Sequence, residues 1–413
     1  MATEPNAAIG PPETPPRPRL NVALVLLATT MTQALVTMIV VIPAAVAPEF
    51  AAALHLPPSM VGVQIGVVYG GAMILSTVSG TLVQRWGPLR TSQIALVFAT
   101  IGAGLMAVPS VASVAMGAIF CGFGYALTNP PASHLLQRVT TPADRNFIFS
   151  IKQTSVPLGG IAAGLMAPPV AVAHGWQAPL LIGAAICLVV ICALQPLRRT
   201  WDEDRDATVS VRRNPLAGMA LMWGDGRLRL FAFAAFFYSA MQLSLTTFAV
   251  TLLVSDLQFG LIEAGLVLAV LQLGGVVGRI FWGWLADRLR DGNAALLAIA
   301  AISTVTAAAT TQLTAETVTA AVYGLFALFS FAAVGWNGVA MAEIARLAPA
   351  DRIGAATGGV LVITFAGILV GPPVFTLLYG FVGTYTGTFG LFAIAAAAGF
   401  GFILAARRYE RRA

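Results

Sequence analysis

From residue 21 onward, apolar residues run in continuous stretches with short polar breaks between them. Each stretch is about 20 residues long, the length a helix needs to cross a hydrocarbon core. The stretches do not alternate between apolar and polar positions, so they select helices over barrel strands. The pattern predicts helix 1 over about Asn21–Ala47, helix 2 over Met60–Val83 and helix 3 over Thr91–Val108. Helix 4 is expected over about Val111–Leu136, helix 5 over Phe147–Val172 and helix 6 over Ala178–Leu197. A polar stretch from Arg198 to Arg227, containing the run WDEDRD, reads as a central loop. Helices 7, 8 and 9 are expected over about Leu228–Val254, Leu261–Trp284 and Ala294–Thr311. Helices 10, 11 and 12 follow over about Val318–Ile344, Gly354–Leu378 and Gly387–Ala406.

Composition agrees. The chain has 413 residues, of which 58% are apolar and 10% charged, with mean hydropathy +0.85. A soluble domain carries about 25% charged residues. So much apolar surface needs lipid as its solvent. The three cysteines, Cys121, Cys187 and Cys192, lie inside apolar runs and read as buried filler, without the spacing of disulfides or a metal site. Residues 1–20 are Pro-rich and polar, lack the pattern of a signal peptide, and read as a disordered tail.

Net charge is +6, yet its placement excludes a nucleic-acid footprint. Of 22 arginines, 21 fall in the tails, the central loop and the loops on one side; the six opposite loops hold none. This asymmetry predicts that both termini and the central loop are cytoplasmic. Arginine dominance and high Ala and Gly content point to the inner (plasma) membrane of a bacterium. Two basic residues are left inside spans: Lys152, the one lysine of the chain, and Arg279.

An internal repeat links the two halves. The segment PADR occurs at 142–145 and again at 349–352, an offset of 207. The same offset maps Gly160-x-x-x-Gly164 onto Gly367-x-x-x-Gly371, and a Pro-Pro pair follows each. Gly80-Thr-Leu-Val-Gln84-Arg85 maps onto Gly283-Trp-Leu-Ala-Asp287-Arg288, and Gln33 and Thr37 map onto Gln242 and Thr246. Four matches in order at nearly one offset predict parallel repeats. The expected layout is a first six-helix half over 21–197, a loop over 198–227, a second half over 228–406 and a cytoplasmic tail over 407–413.

Gly283-Trp-Leu-Ala-Asp287-Arg288 resembles the loop signature between helices 8 and 9 of the major facilitator superfamily, and the Gly80 segment resembles its first copy. Gln84 departs from that signature, which has Asp at this place. The resemblance covers nearly the whole chain. It implies an all-α membrane fold with twelve transmembrane helices in two six-helix repeats, and a secondary active transporter working by alternating access. It also implies a monomer with no cofactor, a small-molecule substrate and a lipid bilayer as its surroundings. The glycines permit close helix approach. Gly80, Arg85, Gly283, Asp287, Arg288 and Glu343 are therefore candidates for a gate; a purely topological role is the plainer alternative for the arginines. By the same resemblance, helices 1, 4, 7 and 10 line a central cavity, with 5 and 8 at the boundary between halves.

Lys152 lies about 10 Å from the centre of helix 5, and Arg279 lies at about the same depth in helix 8. A cation there costs about 2.5–3.5 kcal/mol on insertion scales and marks a functional site by default. Two such cations facing inward would form an anion site. Snorkelling to headgroups and pairing with Glu343 are the plainer readings. Monocarboxylate and oxalate/formate carriers place an arginine in helix 8 just before the loop signature, as Arg279 is here. The oxalate carrier's second basic residue is in helix 11, where this chain has Thr357 and Thr364; the animal monocarboxylate carriers have an Asp one turn before the arginine, where this chain has Gly275. Uncharged candidates for substrate contact are Gln33, Tyr125, Asn129, Tyr238, Gln242, Gln272, Trp336 and Asn337. Asn129 and Asn337 fall at matching places in the repeats. Asn129-Pro130-Pro131 and Pro157 remove backbone donors, so helices 4 and 5 are expected to bend.

No nucleotide-binding loop is present, which excludes ATP-driven transport by this chain alone. No Asp or Glu lies near mid-membrane. His134 is the titratable candidate for proton coupling, and packing is the plainer role for it. The expected function is symport or exchange of a small organic anion, a carboxylate. The alternative is proton-coupled efflux of a drug or metabolite, whose helix 5 signature Gly-Pro-x-x-Gly-Gly is matched incompletely by Val156-Pro157-Leu158-Gly159-Gly160. No constellation for catalysis or metal binding is present in the sequence.

Overall fold

The computed structural model describes residues 21–141, 145–208, 217–348 and 353–410. The tail over 1–20 and both copies of PADR, except Arg145, lie outside the described residues. Twelve helices among the described residues are long and apolar enough to cross a membrane. Helices 1 to 6 span Val22–Ala45, Pro58–Trp86, Pro88–Met106, Val111–Val139, Ile151–His174 and Gln177–Trp201. Helices 7 to 12 span Gly226–Ser255, Leu261–Leu289, Gly292–Gln312, Thr319–Ile344, Ala356–Val382 and Tyr385–Tyr409. Among the described residues the fold is all-helical, in two parallel six-helix repeats.

Three helices are interrupted, and two of the breaks fall where proline predicts them. Helix 4 breaks at Leu127–Thr128 and resumes at Asn129, because Pro130 and Pro131 have no N–H to continue the ladder. Helix 5 breaks at Thr154, between Arg145–Gln153 and Ser155–His174. The missing donor at Pro157 would have bonded the carbonyl of Gln153, four residues back. Helix 10 breaks at Val334–Trp336 and resumes at Asn337, without a proline; Gly335 is the local weakness there. Asn129 and Asn337 thus open equivalent helical segments in the two repeats.

Packing relies on glycine where backbones meet. Gly159 faces the carbonyl of Ala34 on helix 1, while a methyl group at Gly164 would lie 2.7 Å from the carbonyl oxygen of Gly265 on helix 8. In the second repeat Gly367 and Gly371 play the same part against Phe236 and Ala240 of helix 7. Contact between the halves runs along helices 5 and 8 and along helices 2 and 11.

The second seam is graded. A methyl group at Gly62 would meet Thr376 of helix 11 at 2.5 Å; one at Gly66 would meet Pro373 at 2.8 Å; one at Gly70 would meet Leu369 at 3.4 Å. At Gly80, the far end of the same helix 2, nothing lies within 4 Å. Helices 2 and 11 therefore converge at the arginine-poor face and part toward the arginine-rich one. Thr376 also donates to the carbonyl of Ser59 at 2.7 Å, closing the arginine-poor end. At this seam the halves are closed at the arginine-poor end and apart at the arginine-rich end.

The central stretch is more ordered than a simple loop. A helical turn covers Arg198–Trp201, and another helix covers Ala217–Gly224. Asp202 accepts from the backbone N–H of Leu89 at 2.6 Å and of Arg90 at 3.1 Å, capping helix 3. Gly87 makes room for that carboxylate. Burial pushes the Asp202 carboxyl above its ordinary range, against the pull of those N–H groups and of Arg198 and Arg205.

Candidate functional site

The breaks in helices 4, 5 and 10 place freed backbone groups and polar side chains at one depth. Lys152 is the last residue but one before the break in helix 5. It is 3% exposed, and its Nζ donates to Oδ1 of Asn129, the first residue after the break in helix 4. Arg279 on helix 8 spans two other broken ends. Its Nη1 donates to the carbonyl of Gln153 at 2.8 Å, and its Nε to the carbonyl of Val334 at 3.3 Å. Both carbonyls terminate helical segments, where a cation is favoured by the helix dipole. Gln153 belongs to the first half and Val334 to the second, so one guanidinium ties the halves together.

The two cations are linked indirectly: Arg279 bonds the carbonyl of the residue next to Lys152. Among the described residues, no carboxylate forms an ion pair with either. Pairing with Glu343 is excluded for both: Glu343 bonds Arg346 at 2.8 Å and packs on Gly292 at the start of helix 9. Tyr125 of helix 4 stands near the Arg279 guanidinium, across the boundary between halves. Tyr125 in turn packs edge-on against Tyr69 of helix 2, with ring centroids 5.3 Å apart.

Around this centre, Gln33 of helix 1 accepts from the Ser155 hydroxyl at 2.8 Å. Gln242, its counterpart on helix 7, accepts from Trp336 Nε1 at 2.9 Å and from Asn337 Nδ2 at 3.1 Å. Gln272 is buried against Gly160, filling the seam between helices 8 and 5.

Three expectations change. Tyr238 does not face the centre: its hydroxyl donates to the carbonyl of Leu296 on helix 9 at 3.0 Å, and its ring packs on Trp336 and Gly399 inside the second half. His134 pairs with Asp204 of the central stretch at 2.6 Å, at the arginine-rich surface. The gate candidates form no latch among the described residues: Arg85, Asp287 and Arg288 are exposed, and a methyl group at Gly80 or Gly283 would meet nothing within 4 Å. Glu343 stays within its own half. Sequence reasoning passed over Ser155, Tyr69 and the carbonyls of Gln153 and Val334. Pro157 was the available signal for Gln153; for Val334 only Gly335 hints at a freed carbonyl.

The family profile of the Major Facilitator Superfamily matches residues 25–358. The chain belongs to that superfamily. Its twelve spans and paired repeats are those of that fold. A probable hexose phosphate transport protein of Chlamydia trachomatis is 20% identical over 200 residues, which are 42% of this chain and 43% of that protein. An uncharacterized MFS-type transporter of Mycobacterium tuberculosis is 25% identical over 183 residues, 43% of this chain and 39% of that one. The chain thus spans under half the length of these curated relatives. A bacterial homologue of the human lysosomal transporter Spinster, inward-facing and unoccupied, aligns with TM-score 0.73 at 15% identity, over 94% of this chain and 97% of that one. The nucleoside transporter NupG aligns with TM-score 0.75 at 14% identity, over 92% and 99%. At this identity the structures speak for the fold alone.

Proposed function

We propose that this major facilitator carries a small organic anion, a carboxylate, by proton symport or anion exchange, with the arginine-rich face in the cytoplasm of a bacterial inner membrane. The observation that carries the reading is the pairing of Lys152 and Arg279 at broken helix ends with no carboxylate partner among the described residues. A buried cation without an acid is expensive unless something anionic visits it. Lys152 supplies a point charge steadied by Asn129. Arg279 keeps a planar fork whose donors match a carboxylate, and Tyr125 and Gln33 stand on the facing helices. A carboxylate arriving from the open side would compete with the Gln153 carbonyl for the guanidinium. Substrate occupancy would thereby act on the link between halves, which is what alternating access requires. The relative named as a probable hexose phosphate carrier points to phosphate esters as the other anion class to test.

The test is thermal stabilisation of the purified protein by small carboxylates, phosphate esters, inorganic anions and cationic drugs. A ligand of the native state raises the melting temperature by mass action. Stabilisation by one carboxylate class, lost in Arg279→Ala, is expected. Stabilisation only by phosphate esters would move the substrate class; stabilisation only by bulky cations would sink the anion site and favour efflux.

A further inference from the structure

Two clefts at the arginine-rich face share a wall. The larger, of about 1000 Å³, is lined by Arg198, Arg199, Arg205, Asp202, Glu203 and Cys192 among others. The smaller, of about 290 Å³, adds Arg85, Arg90, Trp86 and Ile94, and Arg198 and Arg205 line both. Five arginines thus line two adjoining clefts, together one cationic hollow between the ends of helices 2, 3 and 6.

The two acids in the hollow are already engaged. Asp202 is held by the N–H groups that cap helix 3, and Glu203 pairs with Arg138 at 2.7 Å. Arg198 lies 3.8 Å from Asp202, and Arg90 reaches only Gln93, at 3.4 Å. Arg85, Arg199 and Arg205 form no ion pair among the described residues. The hollow therefore carries a positive excess that its own acids do not cancel.

A second observation gives the direction of the ligand. Beyond the clefts, apolar residues face outward on helices 3 and 6. On helix 3 these are Val97 and Ile101, 40% and 41% exposed, one and two turns beyond Ile94. On helix 6 they are Leu188 and Val189, 51% and 67% exposed, just inward of Cys192. Trp86 stands at the rim, 38% exposed, at the level where indole rings favour the membrane interface. A cationic hollow opening onto an apolar track matches a phosphate headgroup with acyl chains attached.

We propose that this hollow binds the headgroup of an anionic phospholipid, its phosphate among Arg85, Arg198 and Arg205 and its chains against helices 3 and 6. Scattered loop arginines give a diffuse attraction to anionic headgroups. The convergence of five on one concave surface gives a site. The lipid would brace the helix 2–3 loop against the central stretch, which already meet where the Asp206 N–H donates to the Gln84 carbonyl at 2.8 Å.

The experiment is native mass spectrometry and thermal melting of the full-length protein in detergent. The probes are phosphatidylglycerol, phosphatidylcholine of the same chains, and inorganic phosphate. Expected is a retained phosphatidylglycerol adduct and a raised midpoint, both weakened about twenty-five-fold in affinity by Arg198→Gln with Arg205→Gln, at roughly fivefold per arginine. Arg229→Gln with Arg408→Gln, on the same face but away from the hollow, should leave both unchanged. Equal binding of phosphatidylcholine, or equal loss in the two double variants, would overturn the site. Stabilisation by inorganic phosphate to the same extent would overturn the lipid as its occupant. The lipid-free midpoint of each variant shows whether a loss of binding is merely a loss of folding.

Discussion

Nη1 of Arg279 on helix 8 meets the carbonyl oxygen of Gln153 on helix 5 at 2.8 Å because Pro157 cannot. A proline in one half frees an acceptor that a cation in the other half takes. Hydrogen bonds to charged groups contribute about 1.5–3 kcal/mol, enough to bias a two-state carrier by roughly tenfold or more. Arg279→Ala should abolish substrate uptake into proteoliposomes while leaving a monodisperse, helical protein. Arg279→Lys should also lose about tenfold or more, because one ammonium cannot hold two carbonyls and a carboxylate fork. Normal uptake by the lysine variant would show that charge alone suffices.

Asn129 holds Lys152 as a neutral partner, and that neutrality matters if the lysine serves an anion. Asn129→Asp keeps the size and an oxygen at the same place but supplies a permanent counter-ion. Anion binding should then fall about tenfold or more, although Lys152 is still present. Asn129→Ser should lose much less. Calorimetric titration of the two variants with the stabilising carboxylate separates these outcomes; equal affinity in both would mean that Lys152 does not contact substrate.

Much of this was legible in the sequence, for reasons that can be named. Span positions follow from hydropathy, which bilayer thickness enforces on every helix. The breaks in helices 4 and 5 follow from Pro130, Pro131 and Pro157, whose missing donors act locally. Lys152 and Arg279 stood out because charge inside a span is costly. What was not legible depends on rotation about helix axes. Tyr238 and Gln242 are one turn apart on helix 7, yet one packs on helix 9 and the other receives Trp336 and Asn337. His134 shared a helix with Asn129, but its partner Asp204 lies in a stretch that reads as loop. The break in helix 10 has no proline, and its sole local sign is Gly335. The carbonyls that Arg279 takes are backbone groups, which residue types do not advertise.

Asp202 offers a pH test outside the spans. Its carboxyl is held above the ordinary value of 3.8, chiefly by burial. The folded protein therefore holds that proton more tightly than the unfolded chain does. As pH rises through the interval just above 3.8, unfolding releases a proton and is favoured, so the stability contributed by this group falls. Asp202→Asn removes the titration and keeps one acceptor for the cap on helix 3. The melting midpoint of the native protein should therefore fall relative to the Asn variant as pH increases across that interval. A constant difference would mean that the N–H groups and arginines balance burial, and one of opposite sign that they outweigh it.

Gly62 and Gly80 sit at opposite ends of helix 2 and report opposite states. At Gly62 a side chain would collide with Thr376 and with the carbonyl of Pro372, whereas at Gly80 it would meet nothing within 4 Å. Gly62→Val should thus raise the energy of the present conformation, by about 1–3 kcal/mol for an overpacked contact, and shift molecules toward closure at the arginine-rich face. Gly80→Val should be silent here and costly only where helix 11 approaches that end. Spin labels at Thr77 and Gly358, with the native cysteines replaced, measure the separation of the two helices at the arginine-rich face. The Gly62 variant should enlarge the short-distance population, roughly thirtyfold at the middle of that energy range. The Gly80 variant should keep the long distance even with saturating substrate. If both variants gave the same distribution, the graded seam between helices 2 and 11 would not be the surface on which the halves rock.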